Sequence, residues 1–300
     1  MGPHRDRPAT DHARLGVPVD ARPHFAREHT ALLADLRSLA PADWRREAVP
    51  GWTVRDLAAH LLGDYYGRLG RDRDAHREGP SFAPGETLET FIHRVNQEWV
   101  DACARISPAA LVDTLELIGR QVTRFFAAAD PGAPSLGVSW AGADPAPMWL
   151  DCAREFTEFW THRQQIRRAT GSGTDPDPVA VSLVVDTFMR ALPHTLRDID
   201  APDGTRVRVV VTGPGAGTWT ATKAPAPGPP DETASAAAGH HWSLAHPEPG
   251  PAETTVRFDT ETAWLLCARG IEPAEALPLA GVEGDRRLAV AACRIVSVVH

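Results

Sequence analysis

Glu158 and His162 stand four residues apart in Arg154-Glu155-Phe156-Thr157-Glu158-Phe159-Trp160-Thr161-His162. On a helix this spacing puts a carboxylate and an imidazole on one face, with Cβ atoms about 5–6 Å apart, close enough to clamp one ion. A third candidate, His60, lies in a separate amphipathic stretch. At about 100° per residue, the apolar stripe Cys152, Phe156, Phe159 and Ile166 leaves Glu158 and His162 to one side of the core face. The stripe Val54, Leu57, Ala58, Leu61 and Tyr65 leaves His60 about 120° off its centre, so two flanks can face each other across a groove. Two imidazoles and one carboxylate are the donor set of an open catalytic zinc site, whereas a structural site more often closes with four ligands that include Cys. Taken alone, an E-x-x-x-H pair is more often a solvated or hydrogen-bonded pair than a metal clamp, and His60 alone says no more.

The elements that must carry these residues are mostly helical. Periodic apolar positions predict helices over Pro23 to Ala40, from Val54 to about Gly70, over Thr87 to Arg105, over Pro108 to Ala129 and over Pro147 to Thr170. Thr53 with Asp56 three residues on reads as a capping box, Ser107 as an N-cap with Pro108 in the first helical position, and Gly171 as a stop. Residues 21–172 are therefore expected to form a helical bundle after a flexible N-terminal tail, 1–20. Gly171 to Pro178 reads as a linker. Over 179–300 the pattern changes: a helix at Val179 to Arg197 is followed by strand-like alternation at Thr205 to Val211 and Thr254 to Phe258, which predicts a small α+β domain. Two closing helices, Thr260 to Arg269 and about Asp285 to Val299, would be capped by Asp259 or Thr260 and by Asp285. The Pro-, Ala- and Gly-rich stretch 223–240 is expected to be a flexible loop.

Composition narrows the class. A formal charge of -8, with no basic stripe, argues against nucleic acid as a partner. No run of about 18 apolar residues and no leader-like h-region occur, which predicts a cytoplasmic protein without a membrane partner; a monomer is expected. Cys103, Cys152, Cys267 and Cys293 form no C-x-x-C pair and are expected to be buried, inert thiols. Only Lys223 among the 31 basic residues is a lysine, a bias better explained by a high-GC genome than by physics. His76, His93, His240 and His241 have no partner at ligand spacing. Asn96 and Gln121 could reach a substrate or merely bond between helices.

The stretch Pro50-Gly51-Trp52-Thr53-Val54-Arg55-Asp56-Leu57-Ala58-Ala59-His60-Leu61 resembles the opening of the DinB-like and mycothiol-dependent maleylpyruvate isomerase-like bundles. The resemblance implies a DinB-like four-helix bundle in which the histidine of W-x-V-x-D-L-x-x-H-L, here His60, is a metal ligand. It implies that the late Glu–His pair, Glu158 and His162, completes the site. Asp64, one turn after His60, becomes a second-shell partner or a fourth ligand. Thr205 to Val211, Thr262 to Gly270 and Val282 to Asp285 are similar to the sterol-carrier-like (SCP2-like) domain that follows the bundle in the isomerase, and Arg269 matches the arginine that reaches its active site. A helix-terminal Arg bonding the last carbonyls is the plainer reading of that residue.

What the resemblance implies chemically is a divalent metal, zinc in the first instance although nickel, cobalt or iron suit the same donors. The partners would be a small-molecule substrate and mycothiol or a similar small thiol as cosubstrate, in an isomerase or S-transferase. A bound cation lowers the pKa of a coordinated thiol or water, so a metal-dependent hydrolase is the first alternative. A non-enzymatic small-ligand or lipid-binding protein is the second.

Overall fold

The structure, a computed structural model, describes residues 12–224, 242–244 and 250–297. It is helix-rich, with a separate sheet region, and divides into two compact units. One comprises Asp20–Asp130 and Glu155–Ala180; the other comprises the described residues of 12–19, 131–154 and 181–297.

The helical unit holds α1 (Phe25–Ser38), α2 (Val54–Arg68), α3 (Leu88–Ala102), α4 (Pro108–Ala128) and most of α5 (Met148–Ala169). A short hairpin, β1 (Glu47–Val49) with β2 (Trp52–Thr53), leads into α2. Gly51 supplies the positive φ of 82° that its turn needs. Thr53 then caps α2 as a full capping box with Asp56, and Ser107 caps α4 with Pro108 at the first helical position. The hairpin is a finding that helical periodicity could not anticipate, because two- and three-residue strands leave no alternation to count.

Packing in this unit follows the apolar stripes. Phe25 stacks on Phe126 at 4.4 Å and meets Phe156 and Phe159 edge-on, while Tyr65 meets Phe159 at 4.8 Å, so α1, α2, α4 and α5 share one aromatic core. Two charged pairs are buried with it. Arg163 holds Glu28 through Nε–Oε1 at 2.5 Å and Nη2–Oε2 at 3.0 Å, and Arg68 holds Glu155 at 2.6 Å.

His29 on α1 sits inside this core, its Nδ1 3.4 Å from the Tyr65 hydroxyl. Burial disfavours the charged ring and lowers its pKa from the ordinary value, against a smaller opposing pull from Glu116. The sign follows from linkage: below about 6.5 the unfolded chain binds this proton more readily than the folded one, so stability falls as pH drops through that value. A urea midpoint that declines from neutral pH towards pH 5, and a shallower decline in His29→Gln, are expected; identical slopes in the two proteins would refute the assignment.

The second unit contains the strand pair β3 (Pro134–Ser135) and β4 (Ala146–Pro147), and helices α6 (Pro178–Met189, all but its first turn) and α7 (Leu192–Thr195). Next come strands β5 (Arg206–Thr212), β6 (Gly217–Lys223), β7 (Trp242–Ser243) and β8 (Thr254–Asp259), then helices α8 (Thr260–Cys267) and α9 (Pro273–Leu279), strand β9 (Gly281–Gly284) and α10 (Arg286–Ala292). The sheet runs β7-β6-β5-β8-β9, antiparallel except for the β5–β8 pair. Val207, Val209 and Val211 alternate inward and are buried, where α8 and α10 cover the sheet. Asp259 and Asp285 cap α8 and α10.

Three differences from expectation have local causes. The helix expected over 179–197 is two pieces, α6 and α7, with Pro193 near the start of the second. The last helix stops at Ala292. Within the expected tail, residues 1–11 lie outside the described residues, but Ala13–Leu15 forms a tight turn. Leu15 is wholly buried among Val138, Ala141, Ala143, Ala146, Trp149 and Leu150, and Arg14 donates to the carbonyls of Ala141 and Gly142. The expected flexible loop lies outside the described residues from 225 on, with His240 and His241; its first residue, Lys223, ends β6 and is buried.

All four cysteines are free and buried. Burial pushes the Cys267 thiol up to about 12 and that of Cys293 to about 11, so neither is a thiolate at neutral pH. The native protein is expected to leave a disulfide reagent such as DTNB unreacted and to consume it at four thiols only after unfolding; a fast-reacting native thiol would contradict this.

Candidate metal centre

The site lies within the helical unit, where α2 faces α5. The capping box at Thr53 fixes where α2 begins, and so which turn of α2 brings His60 to α5. Glu158 and His162, one turn apart, project from α5 towards it. His60, 98 residues from Glu158 in the chain, arrives with Nε2 3.4 Å from Glu158 Oε1. His162 places its own Nε2 2.8 Å from the same oxygen. The two imidazole rings stand perpendicular with centroids 4.8 Å apart. One donor atom from each residue lies within 4.8 Å of the others, so the three could hold a single ion. Both histidines are buried and Glu158 is half-buried.

Asp64 comes to the same place from the next turn of α2. Its Oδ2 is 3.3 Å from His60 Nε2, the nitrogen that also faces Glu158, so it addresses the donor side of the ring rather than its back. That places it where either role expected of it, partner of His60 or fourth donor, is within reach. Behind His162 stands Gln165, whose Oε1 is 2.7 Å from Nδ1. Trp52 lies over His60 with ring centroids 5.2 Å apart and is itself held by Gln97 through its indole N–H. Neither Gln165 nor Trp52 was singled out from the chain, although the i,i+3 spacing of His162 and Gln165 was a usable signal.

The charged groups here shift one another strongly. Burial disfavours a charged His60, yet Asp64 and Glu158 outweigh it and raise its pKa to about 9. Burial raises Asp64 to about 6, helped by the neighbouring Glu158 and Glu155 and opposed by His60. Glu158 is held well below the ordinary carboxylate range: burial pushes it up, but His162 and His60 more than reverse that. The carboxylates therefore draw positive charge into a buried place, and His60 must shed its proton before it can ligate.

The separations at His60 Nε2 compare directly with those around a bound ion. A cation about 2.0–2.2 Å from tetrahedrally placed N and O donors spaces those donors roughly 3.3–3.5 Å apart. The separations of 3.4 Å and 3.3 Å at His60 Nε2 sit in that range, and 2.8 Å at His162 is a hydrogen bond that needs only a small opening. Asp64 Oδ2 is buried and, apart from its 3.3 Å approach to His60 Nε2, has no hydrogen-bond partner among the described residues. Arg269 belongs to the other unit, exposed just past α8 in a left-handed conformation with φ 55°. Gln121 is engaged by Arg73 Nη1 at 2.7 Å.

Fold and site together define a helix-rich protein in which two histidines and one carboxylate meet. Residues 25–167, just under half of the chain, match the family model of the mycothiol maleylpyruvate isomerase N-terminal domain. The match spans His60, Glu158 and His162. Two solved structures are similar over 84% of this chain and 90% of theirs, each at 13% identity: a mycothiol-dependent maleylpyruvate isomerase, with a TM-score of 0.44, and its histidine-to-alanine variant, with 0.45. No curated protein matches the chain.

Proposed function

We propose that the chain is a metal-dependent enzyme that uses a small thiol of the mycothiol type to isomerise, or to conjugate, a small electrophilic substrate. The observation that carries this reading is the convergence of His60, Glu158 and His162 inside the segment that matches the isomerase family. In this reading His60 and His162 hold a divalent ion, zinc in the first instance, through Nε2, and Glu158 holds it through its carboxylate. Such an ion makes a thiol or water acidic enough to be a nucleophile at neutral pH.

The chain's own residues do the remainder. Asp64, with a pKa near 6, is placed at the donor side of His60 to take a proton from an entering thiol or water. Trp52 covers the His60 ring and limits water on that side. The protein's cysteines are all buried, so the nucleophilic sulfur is supplied from outside. The same reading takes the helical unit as a DinB-like four-helix bundle and the sheet unit as sterol-carrier-like, in a cytoplasmic monomer. No helix among the described residues is long and apolar enough to cross a membrane. Between the sheet and its helices lies a cavity of about 10 Å³, lined by residues such as Met189, Phe258 and Ile295 and no larger than one water needs.

The deciding experiment incubates Zn²⁺-loaded protein with maleylpyruvate, with and without mycothiol, and follows the substrate spectroscopically. Turnover or conjugation that requires both metal and thiol is the expected result. Metal-dependent turnover that ignores the thiol would instead identify a hydrolase.

A further inference from the structure

His162 has neighbours at both ring nitrogens: Glu158 Oε1 at 2.8 Å from Nε2 and Gln165 Oε1 at 2.7 Å from Nδ1. A neutral imidazole carries its proton on one nitrogen and offers the lone pair of the other, and which is which depends on the partner at the back of the ring. An amide oxygen can only accept a hydrogen bond. Gln165 Oε1 therefore keeps a proton on Nδ1 and leaves Nε2, which donates to Glu158 Oε1 in the metal-free site, as the nitrogen whose lone pair would meet an ion shared with Glu158 and His60.

The placement of Gln165 is not accidental to the helix. It lies three residues after His162 on α5, so helical geometry alone brings the two side chains together. Gln165 is 8% exposed and His162 3%, so water competes little for this bond. The intervening Arg163 ties the same turn of α5 to Glu28 on α1, which holds its backbone in place.

We propose that Gln165 is a positioning residue that sets the tautomer and ring orientation of His162, and through them the affinity of the centre for a divalent cation; this rests on the metal-dependent reading above. Partners behind a ligating histidine raise its basicity and fix its ring, and losing one typically weakens metal binding by about 10–100-fold. A carboxylate at the same place would polarise the ring more strongly than an amide.

The test measures Zn²⁺ affinity of the full chain at neutral pH by competition with a chromophoric chelator, for wild type, Gln165→Leu and Gln165→Glu. Binding weakened by about 10–100-fold in Gln165→Leu, and restored or tightened in Gln165→Glu, is expected. A purely structural role would lower the melting temperature without separating the two variants in this way. Unchanged affinity in Gln165→Leu, or equal weakening in both, would overturn the proposal. ¹⁵N-histidine NMR of the metal-free protein gives a second readout that does not need metal: a solvent-protected Nδ1–H of His162 in wild type, lost in Gln165→Leu. Its absence from wild type would also overturn the proposal. A wild-type chain that takes up no Zn²⁺ sinks the functional reading and the affinity role together, whereas equal uptake by wild type and Gln165→Leu sinks only the role of Gln165.

Discussion

His162→Ala is expected to lose Zn²⁺ binding and thiol-dependent activity together while its far-UV circular dichroism stays that of the wild-type chain. The reason is the donor count. His60, Glu158 and His162 supply one donor each to a single centre, and removing one leaves two of the three. Losing a ligand costs more than losing the group behind it, so the affinity should fall by more than about 100-fold. A ligand present at about 100 times its dissociation constant stabilises the folded state by about 2.7 kcal/mol, which for a domain of this size is a rise of roughly 5–10 °C in melting temperature. Wild type should show that rise on adding Zn²⁺ and His162→Ala should not. Glu158→Gln keeps the shape and one hydrogen-bonding oxygen but removes the charge, so it should lose the metal-dependent rise as well. Stoichiometric zinc in purified His162→Ala would contradict the assignment outright.

The largest stability loss is expected at Arg163, beside the site rather than in it. Its guanidinium is 2% exposed and bonds Glu28 with two nitrogens while Nη1 reaches Asp35 and Asp175. Burial pushes the Glu28 carboxyl up and Arg163 pulls it down, so the ion pair survives only because its partner is in place. Arg163→Met leaves that buried carboxylate without its principal counter-charge and should cost about 3–5 kcal/mol in urea or thermal unfolding. Glu28→Leu with Arg163→Met removes both charges, and should recover much of the loss because an apolar pair needs no compensation. A double variant no more stable than Arg163→Met would show that the loss comes from packing of the long side chain instead. Since α1 and α5 are joined here, the single variant is also expected to loosen the turn that carries His162.

Much of the helical unit was readable from local chemistry. Thr53 with Asp56, Ser107 with Pro108, Asp259 and Asp285 all cap the helices they were expected to cap, because a cap is a bond between residues two or three apart and needs no tertiary context. Strands were harder. Arg206–Thr212 alternates strongly and was visible, but Gly217–Lys223 and Gly281–Gly284 are strands only because β5 and β8 lie beside them. Pro273–Leu279 is a short helix with a proline at each end, a pattern with too few turns to show a period.

The spacing of Glu158 and His162 was set by α-helical geometry, since 3.6 residues per turn put them on one face whatever the rest of the chain does. The presence of His60 on the flank of its helix was likewise a local property. Its arrival 3.4 Å from Glu158, the side of its ring that Asp64 addresses, and the burial of Leu15 all depend on elements far apart in the chain packing at particular angles and registers. Those are properties of side chains interlocking in three dimensions, and linear periodicity carries the identity of a face but not the face it will meet.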